Sequence, residues 1–79
     1  MTLVPTLEWE DYEGLSIAGI STNAEIECVE YYEQWHVQLV IDRHHVFNMG
    51  VRNDLETAKT RAQYVADVLR LMQENVNDA

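Results

Sequence analysis

Residues 24–42 read AEIECVEYYEQWHVQLVID, and this stretch decides the fold. Two alternating runs flank a polar centre. In the first, Ile26 and Cys28 alternate with Glu25 and Glu27. In the second, Trp35, Val37, Leu39 and Ile41 alternate with His36, Gln38 and Val40. Side chains of an extended chain point to opposite faces in turn, so a period of two marks half-buried strands. Tyr32-Glu33-Gln34 then closes a hairpin, with no Asn-Gly or Asp-Gly to dictate its turn type.

Working outward, residues 44–49 predict a short third strand ending at Gly50. Residues 15–20, between Gly14 and Ser21-Thr22-Asn23, predict a strand before the hairpin. Residues 1–13 contain Pro5 and read as an edge strand or an irregular arm. Beyond Gly50 the period changes. Leu55, Ala58, Ala62, Val65, Leu69, Met72 and Val76 recur in steps of three and four, one stripe of a helix over residues 54–75. Asn53 suits the N-cap, with Glu56 completing a capping-box-like pattern. Glu56 with Lys59 or Thr60, and Asp67 with Arg70, are spaced for pairs along the helix surface. Tyr64, Val68 and Leu71 lie off the stripe and either widen the buried face or offer a second one for dimerisation.

The expected fold class is α+β. A three- to four-stranded antiparallel meander over residues 14–50 is packed on one C-terminal amphipathic helix, in one acidic domain spanning residues 1–79. The apolar fraction of 47% argues against disorder. Cys28 is the single cysteine, so no internal disulfide forms; with no recognisable signal peptide, the expected location is a reducing cytoplasm. Residues 37–41, the longest apolar run even with Gln38 inside it, are too short to cross a bilayer.

The net charge is −9, and it is unevenly spread. Through Asp42 the chain carries Glu8, Glu10, Asp11, Glu13, Glu25, Glu27, Glu30, Glu33 and Asp42 with no Lys or Arg. After Asp42, Asp54, Glu56, Asp67, Glu74 and Asp78 are balanced by Arg43, Arg52, Lys59, Arg61 and Arg70. The whole net charge belongs to the sheet half. It opposes direct contact with nucleic acid or anionic lipid and favours a basic partner. Glu25 and Glu27, two apart on a strand, project about 6.6 Å apart on one face. Glu30 and Glu33 extend the charge around the hairpin end. Tyr31 is interleaved with these acids, as are Trp9, Tyr12, Tyr32 and Trp35. Trp35 alternates with Val37 and Leu39 and reads as core, whereas Tyr12 reads as exposed. Exposed Tyr beside charge is favoured at protein interfaces. The expected partner-binding set is Glu8, Glu10, Asp11, Glu13, Glu25, Glu27, Glu30, Tyr31 and Glu33.

Catalytic readings are weaker. His36, His44 and His45 with Cys28 and Asp42 have no metal-ligand spacing, and adjacent strand residues such as His44 and His45 point apart. No metal or cofactor is expected. Cys28 and His36 on facing strands offer a nucleophile and a base across the hairpin, but an alternating strand cysteine is ordinarily buried and inert. Three glycines leave little material for a phosphate loop, and a sheet of this size has no cleft for paired-carboxylate hydrolysis. The chain reads as a non-enzyme.

Three segments carry a resemblance of organisation: Trp9-Glu10, Gln34-Trp35-His36-Val37, and Leu55-Glu56-Thr57-Ala58-Lys59 opening the helix. The chain resembles small bacteriophage accessory proteins that close a short acidic sheet with one helix, and among them anti-CRISPR proteins, several of which mimic DNA. The resemblance spans the chain in architecture and transfers no functional residue. It implies an inhibitor in the host cytoplasm that occupies a nucleic-acid-binding surface of a CRISPR effector and blocks target DNA. A protein-interaction or homodimeric assembly module, and an antitoxin-like regulator of a basic partner, are the alternatives.

Overall fold

The computed structural model describes residues 6–77, with side chains from Thr6 to Met72. Pro5, the start of the expected arm and the side chain of Val76 lie outside the described residues. Five strands precede one helix: β1 Trp9–Tyr12, β2 Leu15–Ser21, β3 Ala24–Tyr31, β4 Gln34–Ile41, β5 His45–Arg52 and α1 Leu55–Asn77. The strands form one antiparallel meander in the order β1-β2-β3-β4-β5. The α+β class and the closing helix are as expected, but the strand count is corrected from three or four to five. No helix among the described residues is long and apolar enough to cross a membrane.

One strand accounts for the correction, and another is longer than expected. β1 forms from the expected arm, with Trp9 opposite Ala18 and Tyr12 opposite Leu15. β5 does not end at Gly50 but runs through it to Arg52, because the register shifts between Val37 and Gln38 and makes a bulge around Met49. Gly50 sits at that bulge with φ +131°, a conformation that side chains with a Cβ rarely adopt. Glycine here is a bulge residue, not a terminator.

In the central hairpin, Ile26 pairs with Leu39 and Cys28 with Val37. Ala18 and Ser16 lie beside Ile26 and Cys28 on β2. These residues face the helix, where Ala58, Ala62, Val65 and Ala66 are buried against them. Small alanines let α1 approach the sheet closely, so a thin layer of Ile26, Cys28 and Val37, all fully buried, is enough to fill the gap. Trp9, Trp35, Met49 and Leu55 pack around this cluster, which puts Trp35 in the core margin as read from sequence. Met72 departs from the expected stripe and is 60% exposed.

The N-cap is Asp54, not Asn53. Its Oδ1 accepts from the Thr57 N–H at 2.8 Å and from the Thr57 hydroxyl at 2.9 Å, and these bonds hold its carboxyl below the usual range. The expected pairs along the helix are also redirected. Lys59 reaches Asp11 at 2.8 Å, Asp67 accepts from Gln63 at 3.0 Å, and Arg70 donates to the Ile20 carbonyl. Lys59 and Arg70 thus tie the helix to the sheet, while Asp67 bonds within the helix.

Candidate functional site: the uncovered sheet face

Strand alternation and register divide the acidic half into three places. One sheet face lies under α1; the other is covered by no described element. Glu10 on β1 aligns with Ile17 on β2 and Glu27 on β3, and Glu25 aligns with Gly19. Glu10, Glu25 and Glu27 therefore share the uncovered face. Glu25 and Glu27 are about 6.6 Å apart along their strand, and Glu10 and Glu27 about 9.6 Å apart across two strand spacings. Ile17 sits between them. The next row holds Tyr12, Leu15, Val29, His36 and Val51, with Tyr31 beyond it. Arg52, the one Lys or Arg in any of the five strands, aligns with Trp35 on the helix side. The strands thus give the uncovered face three carboxylates among aliphatic and aromatic side chains and no Lys or Arg; Arg43 of the β4–β5 turn lines a small pocket with Glu25, and Arg70 of α1 lines a cavity with Glu10.

Glu27 is half-buried, and that burial raises its carboxyl pKa, with the Glu25 charge adding to the effect. Tyr12 donates to Glu10 Oε2 at 3.0 Å, and this bond to the carboxylate raises the phenol pKa. Tyr12, Tyr31 and Tyr32 are 59%, 60% and 82% exposed. Sequence alternation sends Tyr31 and Tyr32 to opposite faces. Instead Tyr32 belongs to the turn, and its ring meets Tyr31 edge-on with centroids 4.3 Å apart. Tyr31 in turn lies 6.0 Å from His36.

The second place is the end of the sheet. The Glu30 N–H donates to the Gly14 carbonyl, which brings the β1–β2 turn with Glu13 beside the β3–β4 hairpin with Glu33. Glu30 points to the helix side, opposite Trp35, but lies beyond the covered core and is exposed. Tyr32 and Glu33 adopt φ of 50° and 62°, the twisted two-residue turn that matches strand twist, built here without glycine or asparagine. Each costs free energy in that region.

The third place removes one expected residue. Asp11 lies on the helix side, opposite Ser16, and accepts from Lys59 at 2.8 Å and from the Ser16 hydroxyl at 2.6 Å. Lys59 and then Ser16 lower its pKa. Lys59 also lies 5.4 Å from the Trp9 ring centre. Asp11 is thus a fold residue. Its partner lies 48 positions away, and no local pattern announces the pair. Glu8 precedes β1 and lines a cavity of about 550 Å³ with Trp9, Glu10, Ile20 and Arg70, apart from the Glu25 and Glu27 pair.

The nucleophile–base pairing is overturned by parity. Cys28 faces the helix, fully buried, whereas His36 is on the uncovered face. Burial raises the thiol to about 11, which leaves it protonated at neutral pH. Among the described residues no three His, Cys, Asp or Glu side chains come together as ligands for one ion. Comparison of the chain with protein-family models, with curated proteins and with solved structures finds no match.

Proposed function

We propose that this chain is a non-catalytic inhibitor that lays its uncovered sheet face on the cationic, nucleic-acid-binding surface of another protein. The observation that carries the reading is the group Glu10, Glu25 and Glu27 on a face to which the strands contribute no Lys or Arg, with Arg43 and Arg70 only at its margins. Unneutralised carboxylates on one face destabilise the domain by mutual repulsion. A basic partner relieves that repulsion and gains counterion-like contacts of the kind phosphates make. Leu15, Ile17 and Val29 supply apolar contact between the charges, and Tyr12 and Tyr31 supply aromatic anchors at the margin. Glu13, Glu30 and Glu33 extend the field around the sheet end. A CRISPR effector is the partner class that the resemblance suggests, with exclusion of target DNA as the effect.

The test is binding to the effector of a host strain, read by DNA displacement at about 50 mM and 500 mM salt. Association through this face weakens at the higher salt, since exposed charge pairs are screened. Glu25→Lys with Glu27→Lys abolishes displacement while the folded spectrum is kept. Displacement that survives both the double substitution and the salt sinks the proposal.

A further inference from the structure

The second surface is the outer edge of β5, which no described strand covers. The sheet is open, and β5 contributes an eight-residue edge strand with no Pro or Lys to guard it, whereas β1 at the other edge has four residues. The two edges differ in charge. Glu8, Glu10, Asp11 and Glu13 crowd β1, while residues 43–53 contain Arg43 and Arg52 and no acid at all. In a molecule of charge −9, the β5 edge is the strand edge another copy can approach without carboxylates meeting carboxylates. Beside that edge runs an apolar groove lined by Leu39, Met49, Tyr64, Val65, Val68 and Met72. Exposed apolar side chains cluster on that side: Phe47 46%, Tyr64 59%, Val68 37%, Leu71 45% and Met72 60%; Val46, 56% exposed, lies on the same edge but faces the uncovered side, opposite Val40.

We infer that β5 pairs antiparallel with β5 of a second copy of this chain, joining two meanders into one continuous ten-stranded sheet. A two-fold axis normal to the sheet reverses the strand and keeps both helices on the same side. Residues directly opposite across such a pair share a face, so an axis at Phe47 sets the two Phe47 rings side by side on the helix side. α1 packs over β3, β4 and β5, so two helix axes end up roughly 14 Å apart, from strand spacings of about 4.8 Å. That gap is too wide for direct helix contact and suits filling by Phe47, Tyr64, Val68 and Met72 from both copies. The exposed apolar set offers on the order of 500 Å² per protomer before the paired backbone is counted, against about 800 Å² per partner in an ordinary stable interface. The bulge at Met49 confines flat pairing to residues 45–48, the stretch where Val46 and Phe47 are exposed.

Sedimentation equilibrium of the full chain from about 1 to 100 μM tests this. A mass of twice 9.2 kDa is expected, with the amides of residues 46–48 protected from hydrogen exchange in the dimer. Phe47→Glu and, separately, Tyr64→Glu shift the species to monomer with circular dichroism unchanged. Both positions are exposed, so at least one variant folds. Glu25→Lys with Glu27→Lys leaves the dimer intact, which separates this surface from the acidic face. A wild-type monomer at 100 μM, leaving the edge to a strand from another protein, overturns the inference. So does a dimer that persists in both Glu variants, or one whose residues 46–48 exchange freely.

Discussion

Glu27 and Asp11 show how two carboxylates of one acidic run come to opposite roles. Asp11 is held ionised by Lys59 and Ser16, so its stabilising contribution is present above its unfolded-state pKa and fades as pH falls through its lowered folded value. Glu27 has the reverse sign. Its folded pKa is raised, so its ionised form costs stability at neutral pH, and that cost vanishes as pH falls below the unfolded value. Glu27→Gln is expected to stabilise the domain at pH 7 by roughly 0.2–0.5 kcal/mol, discounted for the solvent on its outer side. The difference from wild type disappears below about pH 4, where unfolded glutamates are protonated. Thermal melts of both proteins across pH 3–8 check the sign. Cys28 gives a second residue-scale prediction. Fully buried and with its thiol pushed up to about 11, it resists a thiol reagent at pH 8 in the folded protein and reacts only as fast as the domain opens. Labelling as fast as a free thiol in native buffer contradicts that placement.

Among the elements, the hairpin turns hold the clearest strain. Tyr32 and Glu33 share positive φ, as do Asp42 and Arg43 in the β4–β5 turn. Asp42 is eased by a contact from Asn23 Nδ2 at 3.3 Å and by the backbone bond from its own N–H to the Asn23 carbonyl. Tyr32 is instead in edge-on contact with Tyr31 and presents most of its ring to solvent. Replacing Tyr32-Glu33 with Asn-Gly is therefore expected to stabilise the domain by about 1 kcal/mol, a rise of roughly 4–8 °C in Tm. If the sheet end is part of the partner surface, the same variant binds more weakly while melting higher; calorimetry and DNA displacement on one preparation separate the two effects. Legibility also differed by element. Alternation in β3 and β4 and the stripe from Leu55 to Leu69 were readable because periodicity reports which face is buried. β5 was truncated at Gly50 because a bulge and a strand end call on the same residue. The cap was off by one because Asn53 and Asp54 are both cap formers, and only the backbone bond to Thr57 distinguishes them.

For the molecule as a whole, charge and apolar surface lie at opposite margins. The acids gather on the uncovered face, the β1 edge and the sheet end, together with the exposed Tyr12, Tyr31 and Tyr32; the exposed aliphatic residues gather along β5 and α1 with Phe47 and Tyr64. Lys59 to Asp11 is the one ion pair between described residues, so most of the net charge of −9 is opposed by solvent alone. Raising NaCl from about 20 to 500 mM should then stabilise the folded state, by on the order of 1 kcal/mol, through screened self-repulsion. A melting temperature that falls with salt contradicts this charge distribution. The sequence by itself determined the element types and the concentration of charge in the first 42 residues, because both are local sums over neighbouring side chains. Only the tertiary structure decided which acids act together. Glu10 joins Glu25 and Glu27 through the pairing of β1 with β2 and β2 with β3, and Asp11, its neighbour, is turned under the helix to Lys59. Register and the side on which the helix lands are long-range choices, and a shift of one residue in either exchanges the two faces.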